Sequence, residues 1–258
     1  MLSRESMMAL VRHNLLLARR DLAPLAVTVA MPLVLMAFLQ PVLQLSLVSA
    51  GYADAGGAEQ AVPGMTVMFT LFMVAVVGFR IFEEHGWGTW DRLRASPAGP
   101  AAIMVGKIAP SFAVVLAQLA VLFGGGVALY GLRIAGAASA LALLAVALGA
   151  MVVSLGVLLA AYARTAQQLN ALANVGATAL ACLGGALVPL SALPAWAQSV
   201  APATPTYWAM RGFRAVILDG GGIVEALAPV MALLGFAGLF AALAALRFRF
   251  DEPKTSFA

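Results

Sequence analysis

The chain has 258 residues, of which 63% are hydrophobic and only 10% carry a charge. Soluble globular domains carry about 25% charged residues, so the composition excludes a soluble domain and indicates an integral membrane protein. The net charge of +4 does not indicate nucleic-acid binding, because the basic residues lie at the edges of apolar runs. No polar stretch is long enough for a second domain, so we expect residues 1–258 to form one membrane domain.

Residues Leu2–Arg20 are predicted to form an amphipathic helix. At 100° per residue, most apolar residues fall on one side and the charged residues on the other. This pattern is typical of a helix that lies in the membrane interface. The alternative is a basic tail that only sets the orientation of the chain.

Six stretches without charge are long enough to cross a bilayer as helices of about 20 residues. They are residues 24–49, 61–79, 108–130, 138–161, 168–189 and 226–246. Gly131 marks a turn between the third and fourth spans, which therefore form a helical hairpin. Strand alternation is absent from the sequence, so the predicted fold is an all-α polytopic membrane protein with six transmembrane helices.

The first span has two features of its own. Pro32 and Pro41 each remove a backbone donor, so both should kink the helix. The sequence Val48-Ser49-Ala50 could serve as a signal-peptide cleavage site, but the preceding apolar run is longer than the roughly 7–15 residues of a signal peptide. We therefore interpret the run as a retained span.

Basic residues predict the orientation of the spans. Twelve lie at the N-terminus, in residues 80–107, at Arg164 and in the C-terminal tail, which all fall on one side. The other side has three, Arg133, Arg211 and Arg214. The positive-inside rule then places both termini and residues 80–107 in the cytoplasm, and the loop Gly51–Gln60 outside.

Seven of the 26 charged residues fall in the charged segment, which we define as Arg80 to Lys107. Gly86 and Gly88 should break the helix that leaves the second span, and Thr89 can cap a new short helix. Ser96-Pro97 ends that helix, and Pro100 is well placed to open the next one. A short helix with Trp and Arg could anchor a soluble partner, whereas the alternative is a solvated loop.

Amides and hydroxyls inside the predicted spans are candidates for a transport path. An amide that faces lipid is unfavourable, so these groups should face the bundle interior or a water-filled path. The alternative is that they form hydrogen bonds between helices. Spacing of four places three pairs on shared helix faces. The candidates are Gln40, Gln44, Thr66, Thr70, Gln118, Asn170 and Asn174.

Catalytic and metal-binding motifs are not found in the sequence. Gly106-Lys107 follows Gly99, but Ala101 and Ile108 occupy positions where a phosphate-binding loop needs Gly and Ser or Thr. Cys182 is the only cysteine, and it is far in sequence from both histidines, so we expect no metal site and no disulfide. We expect a chain that is not an enzyme and binds no cofactor.

The run Phe82–Pro97 followed by Gly106-Lys107 resembles the cytoplasmic loop of ATP-binding-cassette (ABC) type-2 permeases. The shared elements are an acidic residue, Gly-Thr, an acidic-plus-leucine segment, Ser-Pro and a later Gly-Lys. Leu193-Pro194-Ala195-Trp196, Pro205-Thr206-Tyr207-Trp208 and Arg211 resemble the outer elements of the same family. In length and loop pattern the chain is most similar to the daunorubicin-resistance type.

The resemblance implies a dimer of permease subunits, of one sequence or two related ones, in which each subunit docks on a separate ATPase subunit that binds ATP and Mg²⁺. It implies that the short helix is a coupling helix that fits a groove of the ATPase. The residues that would form this contact are Glu83, Glu84, Gly86, Thr89, Trp90, Asp91, Arg92, Leu93, Arg94, Ser96, Pro97 and Lys107. The implied substrate is an amphipathic drug or a lipid.

The outer segment, residues 193–211, contains too many prolines to span the membrane. Its apolar content predicts re-entrant helices that dip into the outer leaflet, through Leu193, Pro194, Trp196, Pro205, Tyr207, Trp208 and Arg211. These helices could close the exit of a transport path, or they could cap and stabilise a dimer.

The sequence therefore favours the membrane subunit of an ABC exporter in the cytoplasmic membrane. Two alternatives remain open. A stand-alone carrier or channel would need an ionisable relay inside the spans, and the sequence shows none. A non-transporting assembly or immunity protein would associate with no ATPase.

Overall fold

The computed structural model describes residues 22–49, 51–86 and 100–247 of the chain. Within these ranges the regular structure is helical, as predicted, and five helices are long and apolar enough to cross a membrane. The predicted amphipathic helix Leu2–Arg20 and the predicted coupling helix between Thr89 and Pro97 lie outside the described residues.

Eight α-helices are present in the described part of the chain. They are α1 (Leu22–Ser49), α2 (Ala58–Gly86), α3 (Pro100–Tyr130), α4 (Ala138–Tyr162), α5 (Ala166–Leu183), α6 (Ala195–Val200), α7 (Pro205–Ile217) and α8 (Ile223–Arg247). Short 3-10 turns at Leu190–Ala192 and Ala201–Ala203 flank α6. The five long apolar helices α1, α2, α3, α4 and α8 correspond to five of the six predicted spans.

The predicted fifth span, residues 168–189, corresponds to the shorter helix α5. This helix has 18 residues and ends at Leu183, six residues before the predicted end. Gly185 follows with a φ of +80°, a conformation that glycine adopts easily and that ends a helix. The glutamines and asparagines of α5 make it more polar than the five long helices, and α5 is not one of the five candidate spans.

Helix α2 is the centre of the bundle. In its apolar stretch 72% of the residues are buried, against 22% in α1. Helix α2 contacts α1, α3, α4, α5 and α7, whereas α8 packs mainly on α4 and α7. The peripheral helices therefore leave apolar faces exposed, as expected of surfaces that face lipid.

Glycines let several of these helices approach closely. A Cβ atom on Gly156 of α4 would lie 2.7 Å from Cβ of Val77 on α2. A Cβ atom on Gly126 of α3 would lie 2.5 Å from Cγ1 of Val62 on α2. Small residues are the usual means of close helix packing in membranes. Gly126 therefore allows α3 to pack closely on α2.

Helix α1 continues through both Pro32 and Pro41. Proline has no N–H, so Pro32 leaves the carbonyl of Thr28, four residues earlier, without its helical donor. Gln118 Nε2 on α3 donates a hydrogen bond of 3.2 Å to this Thr28 oxygen. A side chain of the neighbouring helix therefore satisfies the carbonyl that the proline frees, as a membrane helix requires.

The turn predicted at Gly131 is confirmed. Gly131 has a φ of +65°, and the Leu132 N–H donates to the Gly126 carbonyl at 3.1 Å, which closes the end of α3. The loop that follows lies against the end of α7, where the N–H groups of Ala135 and Gly136 donate to the carbonyls of Ile217 and Val216. These are carbonyls of the last turn of α7, which lack helical partners.

Successive spans alternate in direction, so the described residues have two distinct ends. We call one end the basic end, because it contains Arg80, Lys107, Arg164 and Arg247. We call the other the clasp end, and it contains the loop after α1, the α3–α4 loop and residues 184–222. The basic residues that the structure describes thus separate between the two ends as the charge count predicts.

Candidate functional site

Some of the predicted path residues are buried between helices of the chain. Gln118, Thr66 and Thr70 have 3%, 0% and 0% of their surface exposed. Thr70 Oγ1 donates to the Thr66 carbonyl at 2.6 Å, and Gln118 Nε2 also donates to the Phe69 carbonyl at 3.4 Å. The shared face predicted for Thr66 and Thr70 is confirmed. These contacts link α1, α2 and α3, as in the alternative of hydrogen bonds between helices.

Two buried polar atoms near these contacts have no hydrogen-bond partner in the described part of the chain. They are Oγ1 of Thr66 and Oε1 of Gln118. Thr66 lies on α2 and Gln118 on α3, and both atoms are inside the helix bundle. Their orientation toward the bundle interior agrees with the expectation that polar groups avoid lipid.

The glutamine pair on α1 divides between two environments. Gln40 is half-buried, and its Nε2 donates to the carbonyls of Gly56 and Tyr130 at 3.1 and 3.5 Å. It therefore links α1 to the loop before α2 and to the end of α3. Gln44 is exposed on the subunit surface, so only Gln40 faces the interior as expected.

Asn170 and Asn174 are exposed on α5, on a face that the rest of the subunit does not cover. Asn174 Nδ2 donates to the Asn170 backbone carbonyl at 2.9 Å and to Asn170 Oδ1 at 2.6 Å. This confirms that the two share a helix face, but that face points away from the subunit interior.

The polar face of α5 is longer than the predicted asparagine pair. Thr178 and Cys182 continue the spacing of four and are both exposed, and Thr178 Oγ1 donates to the Asn174 carbonyl at 2.9 Å. We call Asn170, Asn174, Thr178 and Cys182 the α5 stripe. Extending the i+4 spacing past Asn174 would have found the last two members.

Another face of α5 packs on α2, mostly through small residues. Leu169, Ala173, Ala177 and Ala181 are buried and also recur every four residues. A Cβ atom on Gly78 of α2 would lie 2.7 Å from Leu169 Cδ2, and one on Gly64 would lie 2.0 Å from the Ala186 carbonyl. Helix α5 therefore runs antiparallel along α2, with the α5 stripe facing outward along its length.

The outer segment forms short helices at the clasp end. Thr204 caps α7, because its Oγ1 accepts a hydrogen bond from the Tyr207 N–H, and Pro205 occupies the first turn. Helix α7 has 13 residues, so at 1.5 Å per residue it is about 20 Å long and too short to cross a bilayer. It contacts α2, α4, α5 and α8, which places it across the end of the bundle.

The other predicted residues of this segment are exposed or half-buried. Leu193 and Pro194 precede α6, and Trp196 in α6 has 65% of its surface exposed. The Trp208 indole N–H donates to the Pro202 carbonyl at 3.0 Å, and the Arg211 guanidinium lies 5.3 Å from the centre of the Trp208 ring. A cation on an indole ring is held in a defined position.

A cavity of about 220 Å³ opens beside α7 at the clasp end. Arg211, Arg214 and Tyr207 line one side of it, and Gln60 of α2 and the Gly184-Gly185 turn line another. Gln60 is 6% exposed, and its Nε2 donates to the Gly185 carbonyl at 3.1 Å. Arg214 and Gln60 were not among the predicted site residues, although Arg214 is one of three basic residues on the predicted outer side.

A network of three residues connects this cavity to the loop after α1. The Tyr52 hydroxyl donates to Asp219 Oδ1 at 2.7 Å and accepts from Arg214 Nη2 at 3.3 Å. The Arg214 guanidinium also lies 5.2 Å from the centre of the Tyr52 ring. We call these three residues the clasp, because they join the loops before α2 and before α8.

At the basic end, Lys107 Nζ donates to the Arg80 carbonyl at 3.1 Å. This contact joins α2 and α3 where the charged segment leaves one helix and enters the other. Helix α2 ends at Gly86 and α3 begins at Pro100, as the sequence predicts. Glu83 and Glu84 belong to the last turns of α2, and the other predicted docking residues, from Thr89 to Pro97, lie outside the described residues.

The polar groups of the described ranges are suited to binding. No group of three or more His, Cys, Asp or Glu residues that could hold a metal ion occurs there. The polar groups include amides and hydroxyls on helix faces, arginines at the clasp end, and the carboxylates of Glu59, Asp219 and Glu225. Such an arrangement can bind, guide or exclude a molecule within a membrane.

Comparison with known proteins identifies the family. A family model described as ABC-2 type transporter matches residues 6–218. The chain belongs to the ABC-2 type transporter family. The predicted resemblance to ABC type-2 permeases is therefore confirmed at the level of the family, and this ABC-2 type protein is a multi-pass membrane protein.

A curated relative is similar over most of the chain. The linearmycin resistance permease protein LnrN of Bacillus subtilis (strain 168) is 29% identical over 196 residues, which cover 76% of this chain and 49% of that protein. The chain therefore spans about half the length of the curated relative it matches. A transporter membrane subunit is the function that both comparisons share.

Proposed function

We propose that the chain is the membrane subunit of an ATP-driven ABC exporter. The observation that carries the proposal is the ABC-2 family match over residues 6–218 in a chain that has no phosphate-binding loop. ATP and Mg²⁺ would bind to two copies of a separate ATPase subunit, and this chain would supply the path. The substrate would be an amphipathic drug, an antibiotic or a lipid-like molecule moved out across the cytoplasmic membrane.

In this proposal α5 is also a membrane span, the fifth in chain order, which brings the total to six. Its 18 residues correspond to a length of about 27 Å, close to the roughly 30 Å of the hydrocarbon core. Its low hydropathy follows from its exposed amides, and its buried residues, Leu169, Ala173, Ala177 and Ala181, are all apolar. Six spans place both termini on one side of the membrane, and the positive-inside rule makes that side cytoplasmic.

The α5 stripe then requires an environment other than lipid. Each Asn side chain keeps polar atoms, such as Nδ2 of Asn170 and Oδ1 of Asn174, that have no partner in the described ranges. Placing an amide without a hydrogen-bond partner in hydrocarbon has a free-energy cost on the order of several kcal/mol. We therefore assign the α5 stripe to the seam with a second permease subunit, where it would border the transport path.

Cys182 offers a direct test of this seam, because it is the only cysteine of the chain and is exposed on the stripe. If two copies meet along α5, a short bifunctional maleimide should join two chains in membranes and give a dimer on a denaturing gel. The matched control is Cys182→Ser combined with Leu239→Cys, which moves the thiol to an exposed site on α8. Equal cross-linking of both proteins would argue against an α5 seam.

The charged segment is the proposed entry point for the energy of ATP hydrolysis. The contact from Lys107 to Arg80 holds the ends of α2 and α3 together on either side of the segment. A movement imposed on the proposed coupling helix would therefore reach α2, which contacts five other helices of the bundle. Helix α2 in turn carries the interface with α5.

The outer segment would lie at the exit of this path. Helix α7 closes the end of the bundle against α2, α4, α5 and α8, which supports a role in closing the exit. The exposed Trp196 and Val200 of α6 would lie in the outer leaflet, where tryptophan is common. The alternative, a cap that stabilises the dimer, predicts that changes in α6 weaken cross-linking through Cys182.

Transport by cells tests the proposed function as a whole. The chain is expressed with its partner ATPase in an antibiotic-sensitive strain, and the inhibitory concentration of linearmycin and of an unrelated amphipathic dye is measured. Linearmycin is the first choice because a relative is named for resistance to it. Resistance that requires both subunits supports an exporter. Resistance without the ATPase would indicate a stand-alone carrier, and absence of any ATPase association would favour an assembly or immunity protein.

A further inference from the structure

The charged side chains that line the cavity at the clasp end are all positive. Arg211 and Arg214 both line it, and no Asp or Glu is among its lining residues. In the part of the chain that the structure describes, neither guanidinium forms an ion pair with a carboxylate. The Asp219 carboxylate reaches the Arg214 guanidinium only through the Tyr52 hydroxyl, although the Asp219 N–H also donates to the Arg214 backbone carbonyl. The positive charge of the cavity is therefore only partly compensated.

Both guanidinium groups are held in position by aromatic rings. Arg211 lies over the Trp208 ring and Arg214 over the Tyr52 ring, at 5.3 and 5.2 Å from the ring centres. Stacking on a ring fixes the plane of the guanidinium and leaves its edge N–H groups free to donate. The site is therefore organised before any ligand arrives, which reduces the entropy that binding must overcome.

The remaining walls suit a molecule that is partly apolar. The Tyr207 ring, Leu190, Pro189 and Met210 line the cavity beside the arginines. The Tyr207 hydroxyl has no hydrogen-bond partner in the described ranges, so it is a further donor toward an anion. Two arginines and a phenol next to apolar walls match an oxyanion attached to an apolar body.

We infer that this cavity binds the anionic oxygen group, a phosphate or a carboxylate, of an amphipathic molecule. Arg211, Arg214 and Tyr207 supply the donors, and Leu190 and Met210 contact the apolar portion. The inference goes beyond the proposed export function, because it assigns a ligand site that does not depend on ATP or on a partner subunit. An anionic lipid and an anionic transported molecule would meet the same three donors.

Binding of anionic lipid to the purified chain tests this site. The full chain is reconstituted in nanodiscs of phosphatidylcholine with a small fraction of fluorescent phosphatidylglycerol, and energy transfer from tryptophan or from a dye on Cys182 reports local enrichment. Arg211→Gln should reduce the affinity about tenfold, the ratio expected for one lost charge-assisted hydrogen bond. Tyr207→Phe should reduce it less.

Arg133→Gln is the matched control, because it removes the same charge from the exposed α3–α4 loop at the same end of the bundle. It should leave the affinity unchanged. Arg211 is not part of the clasp, so the Arg211→Gln variant should keep the clasp and fold. An equal loss of affinity in both variants would show that binding depends only on the surface charge, and it would overturn the inference.

Competition separates the possible sources of the anion. Displacement by inorganic phosphate assigns the site to the phosphate group alone, and displacement only by fatty acid or phosphatidylglycerol assigns it to an amphipathic anion. Both outcomes support an oxyanion site. Enrichment of phosphatidylglycerol that neither Arg211→Gln nor Tyr207→Phe lowers would overturn it, as would the absence of any enrichment. Because no ATPase is present in this assay, failure here leaves the export function unaffected.

Discussion

Tyr52 and Asp219 are 167 residues apart in sequence, and the Tyr52 hydroxyl donates to Asp219 Oδ1 at 2.7 Å. The same hydroxyl accepts from Arg214, which lines the cavity at the clasp end. The two loops that precede α2 and α8 are thus joined at the mouth of a charged cavity. A contact of this kind couples the position of the loops to the position of Arg214.

Tyr52→Phe removes both hydrogen bonds of the clasp and keeps the ring on which Arg214 stacks. We expect a loss of about 1 kcal/mol in the free energy of unfolding, since the site is partly exposed. The midpoint of thermal unfolding in detergent should fall by roughly 2–4 °C. Tyr162→Phe is the control, because Tyr162 is exposed at the basic end and its ring keeps the contact with Arg247. An equal shift in both variants would contradict a stabilising role for the clasp.

Gly156→Ala and Gly124→Ala form a matched pair that tests the packing of α2 on α4. A Cβ atom on Gly156 would lie 2.7 Å from Val77 Cβ and 2.9 Å from the Val74 carbonyl, whereas one on Gly124 would meet no atom within 4 Å. We expect Gly156→Ala to destabilise the protein by about 1–3 kcal/mol and to lower the yield of folded protein.

Gly124→Ala should be neutral or stabilising by up to about 1 kcal/mol, since alanine is the better helix former. Thermal unfolding of both variants in the same detergent gives the comparison. If Gly156→Ala were as stable as the native protein, α2 and α4 could not be in contact at this glycine.

The long apolar helices and their alternation are predictable from the sequence, because a charge-free run of about 20 residues matches the thickness of the hydrocarbon core. Helix boundaries at Pro100 and Gly131 are also predictable, because proline narrows and glycine widens the range of backbone conformations at its own position. The end of α5 is not, because a hydropathy scan continues through Gly184-Gly185 into Pro189. The break depends on the positive φ of Gly185, which is visible only in the folded backbone.

The polar contacts are predictable only where they are local. The pairs Thr66–Thr70 and Asn170–Asn174 follow from helical spacing, and their shared faces are confirmed. The side on which a face lies depends on packing, so the exposure of Asn170 and Asn174 was not predictable. The partner of Gln118 is 90 residues away in sequence, and no local pattern connects it with Thr28.

The contact between Gln118 and Thr28 can be tested with a double-mutant cycle. Gln118→Leu alone leaves the Thr28 carbonyl without this donor and should destabilise the protein by about 1 kcal/mol, a typical value between membrane helices. Pro32→Ala restores a backbone N–H that can bond the same carbonyl. In the Pro32→Ala background, Gln118→Leu should destabilise the protein less. The difference between the two destabilisations measures the coupling of residues 32 and 118.

Additive effects of the two substitutions on the unfolding midpoint would contradict this assignment. They would mean that Gln118 stabilises the bundle only through the Phe69 carbonyl, to which it also donates. Gln118 would then be a bridge between α2 and α3 and not a partner of the proline in α1.

Asn174→Leu tests whether the α5 stripe borders the path. The side chain lies outside the subunit core, so the fold should persist, while a polar contact with substrate or with the second subunit is lost. Loss of one hydrogen bond of about 1.4 kcal/mol would lower transport about tenfold. Val175→Leu, at the next residue of α5 and 71% exposed, is the control and should retain activity. Transport unaffected by Asn174→Leu would remove the stripe from the path.

Association with the ATPase tests the role of the charged segment. Trp90→Ala and Arg92→Ala remove the two residue types that most often anchor interfaces, and each should weaken co-purification of the ATPase by about 2 kcal/mol or more. Both positions lie between α2 and α3, outside the predicted spans, so the midpoint of thermal unfolding should stay within about 1–2 °C of the native protein. Trp196→Ala removes an exposed tryptophan at the clasp end and controls for the loss of an aromatic residue. If ATPase binding and ATP hydrolysis were the same in all three variants, energy could not enter through this segment, and docking would have to be sought elsewhere on the cytoplasmic side.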